Sequence, residues 1–187
     1  MSNLFKKVVS SVAALSIVLS VVSPIAGVNA AYASSLEAAN KLASLQVIKD
    51  SSANPADYRL GDNVTRREVT KIAVQLASCQ GVTLNDTYAG KFSDVPASDW
   101  AWKYAETALD NGFVSANAMF NPSRNVSKGE ALKLIMNATK VEKMGSSANF
   151  WADYVAGAVD AGVTESFSDY DTSAKRGWIV LAAANAL

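Results

Sequence analysis

Two short segments combine the residue types needed to hold an anion at the start of a helix. Val64–Glu68 and Val126–Glu130, here called the first and second cassettes, each place a cation between a hydroxyl residue and a glutamate. The cations, Arg66 and Lys128, would lie in the first turn of a helix, where free backbone amides and the helix dipole favour negative charge. Arginine can also bind a carboxylate through two parallel hydrogen bonds. The cassettes therefore predict binding of an acidic group.

The hydroxyl residue and the glutamate of each cassette have the spacing of a capping box. In that motif the hydroxyl accepts a hydrogen bond from the third amide of the helix, and the carboxylate accepts one from the N-cap amide. The predicted pairs are Thr65 with Glu68 and Ser127 with Glu130. Apolar residues then recur at helical spacing, beginning at Val69 after the first cassette, which indicates one buried face. Each cassette therefore begins an amphipathic helix, and both glutamates are interpreted as caps rather than ligand contacts.

A fixed order of elements surrounds the second cassette. A loop at Phe92–Pro96 precedes a helix that is predicted to open at Trp100–Ala101 and to end at Gly112, since glycine commonly follows the last residue of a helix. A second loop carries Phe120–Pro122, and the second cassette follows it. The unit therefore reads loop, helix, glycine, aromatic loop, capping box and helix.

The same order recurs on both sides of this middle unit. Downstream, Tyr154 and Gly162 follow Tyr104 and Gly112 at a constant offset of 50 positions. Repetition at spacings of tens of residues is typical of an array of similar structural units. We therefore predict three units, which span residues 31–90, 91–145 and 146–187.

The flanking units depart from the middle one. The first unit lacks a tryptophan at its opening, where Ser35–Glu37 stands. In the third cassette, Lys175–Trp178, lysine replaces the hydroxyl residue and Trp178 replaces the glutamate, so the capping box is lost. That helix could instead be capped from a shifted position by Asp171, Thr172 or Ser173, and the sequence does not decide among them. The third unit is therefore predicted to be divergent, although Arg176 preserves the cation.

The first thirty residues have the layout of a secretory signal peptide. A basic stretch at Lys6–Lys7 precedes an apolar run over Val8–Val22, and small residues follow. This order predicts export, with cleavage after Ala30 or Ala33. The alternative is a retained membrane anchor, but an apolar run of about fifteen residues is short for a bilayer. We therefore expect residues 1–30 to be removed and no stable membrane span to remain.

Composition bounds the chemistry of the exported part. Cleavage after Ala30 would leave 157 of the 187 residues, with 15 basic and 17 acidic side chains, which is enough chain for one well-packed domain. A slightly acidic protein is a poor match for nucleic acid or an anionic membrane, so neither is predicted as a partner. The chain has no histidine and one cysteine, which excludes Cys/His zinc sites, internal disulfides and histidine-activated nucleophiles. Neither a metal nor a cofactor is predicted.

The ordered motifs resemble the S-layer homology (SLH) repeat. The resemblance rests on the Phe-Ser-Asp-Val loop, the Trp-Ala helix opening, the Gly-Phe stop and the Phe-Asn-Pro loop of the middle unit, together with its Ser-Lys-Gly-Glu cassette. The first cassette, with Thr-Arg-Arg-Glu, is close to the family's Thr-Arg-Ala-Glu signature. The resemblance extends over residues 35–187 and is strongest in the middle unit.

The resemblance implies an all-α, compact bundle of three helix–loop–helix repeats around a pseudo-threefold axis, with ligand grooves between neighbouring repeats. SLH modules are non-catalytic anchors that hold exported proteins to cell-envelope glycans, often a pyruvylated secondary polymer attached to peptidoglycan. The resemblance therefore predicts a protein of the cell wall or S-layer region. Its expected partners are an acidic cell-wall polysaccharide and S-layer or other envelope proteins.

Five residues are predicted to bind the glycan. Helix-start cations would hold its carboxylate, a tryptophan would offer a flat face to a sugar ring, and an aspartate would accept hydrogen bonds from sugar hydroxyls. These residues are Arg66, Lys128, Arg176, Trp100 and Asp94. Each has a simpler interpretation: the cations as solvated charges, Trp100 as core, and Asp94 as a turn cap. If they are exposed, Arg66 and Lys128 should tolerate alanine with little loss of stability. The tryptophans assigned to packing are Trp102 and Trp178.

Two other function classes remain. An exported hydrolase would use paired carboxylates, for which Asp94, Asp99 and Asp169 are candidates, but these acids fall at equivalent or capping positions, which argues against catalysis. A protein–protein scaffold of stacked helix pairs would not need a cation at the start of each unit's second helix, whereas an S-layer-associated structural component stays open as an alternative. The sequence therefore predicts a binding module and no enzyme. Whether the chain is a minimal wall-bound protein or the anchor of a longer one stays open.

Overall fold

The computed structural model describes residues 34–187, which fold into six α-helices and one short 3₁₀ helix. The helices are α1 (Ser35–Ser44), α2 (Arg66–Ser78), α3 (Trp102–Asp110), α4 (Lys128–Thr139), α5 (Phe150–Asp160) and α6 (Arg176–Asn185), with the 3₁₀ helix at Pro55–Tyr58. These residues form isolated β-bridges but no strand, so the predicted all-α class is confirmed. Within the same range, no helix is both long and apolar enough to cross a bilayer. The predicted signal peptide and its cleavage after Ala30 or Ala33 lie outside the described residues.

The three cassettes each begin a helix. α2 follows Thr65 as its N-cap, α4 follows Ser127, and α6 follows Lys175. The buried residues of α2 include Val69 and those at helical spacing after it, which is the apolar face that the sequence predicts. No side chain caps α6, so none of the three shifted candidates takes that role. The lost capping box of the third cassette therefore has no side-chain replacement.

The helices pack in a cyclic order. α2, α4 and α6 contact one another, while α3 packs on α2, α5 packs on α4, and α1 packs on α6. The helix that precedes each cassette therefore lies against the helix of the cassette before it. α1 closes the circle by packing against the last helix of the chain.

A ring of three backbone hydrogen bonds joins the residues just ahead of the helices α2, α4 and α6. The amide of Val126 donates to the carbonyl of Val64 (2.9 Å), that of Ala174 to Val126 (2.9 Å), and that of Val64 to Ala174 (3.2 Å). All three residues are fully buried. Because a buried amide without a partner is costly, this ring fixes the three cassettes against one another.

The first amides of the cassette helices are already occupied. The amides of the first two residues of each helix donate to carbonyls of a neighbouring loop, at 2.8–3.1 Å. The pairs are Arg66 with Arg124, Arg67 with Pro122, Lys128 with Thr172, Gly129 with Tyr170, Arg176 with Asp62, and Gly177 with Leu60. The expectation that free helix amides receive an anion at these positions is therefore wrong. Any anion there must be held by side chains.

The start of α3 also differs from the prediction. The helix begins at Trp102, two residues later than expected, because Trp100 lies in the preceding turn. Trp102 is buried and packs in the core, as the sequence predicts. Trp100 is 47% exposed, so its interpretation as a core residue is wrong.

Candidate functional site

Each helix-start cation lines a cleft of its own at the beginning of its helix. The Arg66 cleft has a volume of about 280 Å³, the Lys128 cleft about 620 Å³, and the Arg176 cleft about 420 Å³. Each cleft is also lined by residues from a different part of the chain, which the cyclic packing brings there. The three cations therefore occupy separate but similarly placed concavities.

The Arg66 cleft is the most basic of the three. Its lining contains Arg66, Arg124 and Lys133 but one acidic residue, Glu130. The Lys128 cleft is lined by one basic and one acidic residue, and the Arg176 cleft by three basic and two acidic residues. A concave surface with an excess of one sign of charge concentrates ligands of the opposite sign. The Arg66 cleft is therefore the best match for an anionic ligand.

Three aromatic side chains contribute to the wall of the Arg66 cleft, which is otherwise mainly polar. Phe113, Phe120 and Trp151 line it, and the guanidinium carbon of Arg66 lies 5.1 Å from the ring centroid of Phe120. A cation over an aromatic face at this distance is electrostatically favourable. The cleft therefore combines positive charge with a partly exposed aromatic side chain, that of Trp151, and both features favour an acidic sugar.

The charge of Arg66 is only partly compensated inside the protein. Its side chain is 16% exposed, and its Nη1 lies 3.6 Å from the nearest carboxylate oxygen, Glu130 Oε1. Its Nε is buried and has no hydrogen-bond partner among the described residues. Burial lowers the pKa of Arg66, the attraction of Glu130 opposes this, and the nearby Arg124 lowers it further. An anion in the cleft would therefore relieve an unfavourable environment.

Glu130 links the helix cap to the cations of the cleft. Its Oε2 accepts a hydrogen bond from the amide of Ser127 (3.0 Å), whose hydroxyl accepts one from the amide of Glu130 (3.3 Å). Arg124 donates to both carboxylate oxygens, at 2.6 and 3.0 Å. Burial alone would raise the pKa of Glu130, but the bonds from Arg124 and Ser127 outweigh it, and the pKa is lowered. Glu130 is therefore both a cap and a member of the charged cluster.

The Lys128 cleft has a different partner for its cation. The Nζ of Lys128 donates to Asp169 Oδ2 at 2.7 Å and lies 5.4 Å from the ring centroid of Phe167. Trp178 packs edge-on against Phe167, with centroids 5.5 Å apart, and lines the cleft. Trp178, which the sequence assigns to packing, therefore also forms a wall where the other clefts have a glutamate.

The Arg176 cleft contains a tight cation–glutamate pair. The Nη2 of Arg176 donates to Glu68 Oε1 at 2.6 Å. The other oxygen of Glu68 accepts hydrogen bonds from the amide and the hydroxyl of Thr65, at 2.8 and 2.6 Å. Arg176 also has a buried Nε with no hydrogen-bond partner among the described residues. Glu68 therefore caps the start of α2 and at the same time pairs with the neighbouring cation.

Asp94 and Trp100 line none of these three clefts. The carboxylate of Asp94 accepts hydrogen bonds from the amides of Phe120 and Asn121, each at 2.7 Å, so it holds the loop that supplies a cleft wall. Trp100 lies near α2, with the guanidinium of Arg67 5.5 Å and the Nζ of Lys71 5.8 Å from its ring centroid. Glycan contact by Asp94 or Trp100 stays a prediction.

The exposure of the three cations differs from what the sequence suggests. The side chains of Arg66, Lys128 and Arg176 are 16%, 23% and 18% exposed, so the interpretation as solvated charges is wrong. Arg66 and Arg176 face partly buried glutamates, whereas Asp169, the partner of Lys128, is exposed. The condition for the predicted tolerance of Arg66 and Lys128 to alanine, that these side chains are exposed, is therefore not met.

Sequence reasoning missed several residues of the Arg66 cleft. Arg124 and Lys133 carry two of its three positive charges, and Trp151 forms a wall. One available signal was the aromatic residue eight positions before each of the first two cassette cations, as Phe120 stands before Lys128. The contact, however, is between Phe120 and Arg66 of the other cassette. No local spacing predicts that pairing.

Within the described residues, the protein is all-helical and has clefts that combine charged and aromatic side chains. Residues 91–132 match the S-layer homology domain family. This match includes Asp94, Trp100, Phe120 and the first five residues of α4. S-layer homology domains are non-catalytic modules that generally attach proteins to the secondary polysaccharide of the cell wall, at the cell surface. No curated protein matches the chain.

Proposed function

We propose that the protein is exported and is held at the cell wall by three S-layer-homology repeats that bind an acidic, pyruvylated polysaccharide. The match over residues 91–132 supports this family for the middle unit. The cyclic helix packing and the ring formed by Val64, Val126 and Ala174 support extending it to the flanking units. The repeats would then be related by a pseudo-threefold axis, with one ligand cleft between each pair of neighbours.

One observation carries the proposed ligand chemistry. Arg66 is a mostly buried cation whose nearest carboxylate is 3.6 Å away, in a cleft lined by three basic residues, one acidic residue and aromatic walls. The carboxylate of a pyruvyl ketal would bind the guanidinium. The sugar ring that carries the ketal would lie against an aromatic face such as that of Trp151. A neutral glycan would leave the excess positive charge without a partner.

Sedimentation with cell-wall sacculi tests this function. The purified protein should sediment with sacculi that carry a pyruvylated secondary polymer, and mild acid treatment that removes the ketal should abolish this. Absence of co-sedimentation before acid treatment would contradict the proposal. Equal retention before and after treatment would exclude the acidic group as the ligand.

A matched pair of variants tests the cleft. Arg66→Gln removes the charge while preserving part of the side chain, and it should reduce retention by about tenfold or more, as expected for loss of a charge-assisted hydrogen bond. Lys41→Gln removes an exposed charge of α1 and should have no effect. Thermal unfolding of both variants must precede the binding assay, because Arg66 is largely buried. Normal retention by a folded Arg66→Gln variant would place the site elsewhere.

A further inference from the structure

The three helix-start cations differ in how tightly the protein itself neutralises them. Arg176 lies 2.6 Å from Glu68, and Lys128 lies 2.7 Å from Asp169. Arg66 lies 3.6 Å from Glu130. The first two distances are those of charge-assisted hydrogen bonds, whereas the third is too long for one. Arg66 is therefore the cation of the three that is least engaged by its carboxylate.

Arg124 accounts for this difference. It pairs with Glu130 through two hydrogen bonds, to Oε1 at 2.6 Å and to Oε2 at 3.0 Å, and this fork uses both oxygens. Bidentate arginine–carboxylate pairs are strong and directional, and Oε2 also accepts from the amide of Ser127. Glu130 is therefore held in an orientation in which it accepts hydrogen bonds from Arg124 and from the amide of Ser127, but none from Arg66.

The equivalent position in the first unit has the opposite charge. Arg124 stands six residues before Glu130, and the residue six before Glu68 is Asp62. Asp62 pairs with Arg59 at 2.6 Å and brings no cation to Glu68. Among the described residues, Arg176 is accordingly the one cation that donates a hydrogen bond to Glu68. The difference between the two clefts therefore coincides with a difference at one sequence position.

We infer that Arg124 is a positioning residue, which occupies Glu130 and thereby leaves Arg66 available to an acidic ligand, while the cations of the other two clefts are neutralised within the protein. This inference rests on the proposed function, and it assigns the acidic glycan to the Arg66 cleft in preference to the other two. It also explains why a cleft that contains a glutamate can still accept an anion.

Calorimetric binding of a 4,6-pyruvylated methyl hexoside tests the inference, with the unmodified methyl hexoside as the neutral control. Arg124→Gln should weaken binding of the pyruvylated sugar by about tenfold, because Glu130 then turns to Arg66. Since Arg124 itself lines the cleft, a direct contact must be distinguished from this effect. The double variant Arg124→Gln/Glu130→Gln should restore most of the affinity, since glutamine preserves the cap but not the charge. Failure of this rescue would overturn the positioning role.

A measurement without ligand separates this inference from the proposed function. Phenylglyoxal modifies arginines that are not engaged in tight ion pairs, and peptide mass spectrometry reports each site. Arg66 should react faster than Arg176 in the wild-type protein, and Arg124→Gln should slow Arg66 several-fold. Asp62→Arg should speed the reaction of Arg176 by drawing Glu68 away, whereas Asp62→Asn, which adds no cation, should not.

The two measurements give distinct outcomes. If the reactivities change as expected but the wild-type protein does not bind the pyruvylated sugar, the charge arrangement stands and the proposed function fails. If the wild-type protein binds the sugar and Arg124→Gln binds it equally well, the function stands and the inference is overturned. Unchanged phenylglyoxal reactivity of Arg66 in Arg124→Gln also overturns it.

Discussion

Arg176 and Glu68, which are 108 positions apart in the sequence, form a hydrogen-bonded ion pair with Nη2 and Oε1 at 2.6 Å. The pair joins the start of α6 to the start of α2, and both side chains are mostly buried, at 18% and 29% exposure. The same carboxylate accepts two hydrogen bonds from Thr65. One glutamate therefore contributes to a helix cap and to the contact that closes the cyclic arrangement.

Replacement of Glu68 should separate these two contributions. Glu68→Ala removes both and should lower the free energy of unfolding by about 2–4 kcal/mol, since a cap is worth about 1 kcal/mol and a partly buried arginine loses its counter-charge. Glu68→Gln preserves an acceptor for the cap and should lose roughly half as much. Urea denaturation measures both. Equal losses in the two variants would mean that the cap contributes little, and no loss in Glu68→Gln would mean that the ion pair contributes little.

The stability of the fold should fall in acid because of the two cassette glutamates. Burial alone would raise the pKa of Glu68, but hydrogen bonds from Thr65 and Arg176 lower it below the ordinary value of 4.5, and Glu130 is lowered in the same way. The unfolded chain therefore takes up these protons at higher pH than the folded protein. The stabilisation that the two ionised glutamates contribute is complete above about pH 5, and it is lost as the pH falls through their lowered pKa values.

Glu68→Gln provides the control for this pH dependence. The difference in melting temperature between the wild-type protein and the variant should be largest near neutral pH and should shrink as the pH is lowered to about 3, because protonation removes the charge from the wild-type side chain too. A difference that stays constant over this range would show that the charge of Glu68 is not the stabilising feature.

Asp94 should act on the ligand through the loop that it holds. Asp94→Ala leaves the amides of Phe120 and Asn121 without their acceptor and should cost about 2–3 kcal/mol of stability, as for two lost hydrogen bonds to a charged group. The wall of the Arg66 cleft that Phe120 provides would loosen, and binding would weaken as a consequence. Thermal unfolding followed by sacculus binding measures both effects. Weakened binding at unchanged stability would instead indicate direct contact with the glycan.

The helix starts could be predicted from the sequence because their signals are local. Thr65 and Ser127, each with a glutamate three residues later, lie at the N-caps of α2 and α4. The apolar spacing that follows depends only on the geometry of a single helix. The late start of α3 was missed because no capping side chain marks it: Ala101 is its N-cap. A capping side chain therefore marks a helix start in the local sequence, and the start of α3 has no such mark.

The composition of the clefts could not be predicted in the same way. Arg66 lies over Phe120 and Arg176 pairs with Glu68, and both contacts depend on how separate helix pairs close into a circle. The prediction that the cations lie at helix starts is correct, but it assumed that the backbone amides beside them are free. Those amides donate to carbonyls of distant loops, such as that of Arg124. Long-range backbone pairing of this kind leaves no periodic pattern in the sequence.

Gly157 should be intolerant of a side chain, although it lies inside a helix. In an isolated helix, alanine in place of glycine stabilises by about 1 kcal/mol. In α5, however, a Cβ at Gly157 would overlap the carbonyl oxygen of Glu142 and lie 2.9 Å from the Cα of Lys143. Because the obstacles are backbone atoms, no rotamer change can relieve them, and the segment before α5 must move. Gly157→Ala should therefore lower the free energy of unfolding by about 1–3 kcal/mol.

Gly61→Ala is the matched control for this variant. A Cβ at Gly61 would have no atom within 4 Å, so the same substitution there should change stability by less than about 0.5 kcal/mol. Thermal and urea unfolding of both variants measures the contrast. If Gly157→Ala were as stable as the wild-type protein, the segment at Glu142–Lys143 would have to lie farther from α5 than the structure places it. A loss of stability in Gly157→Ala but not in Gly61→Ala would show that close backbone packing, rather than helix propensity, selects glycine at position 157.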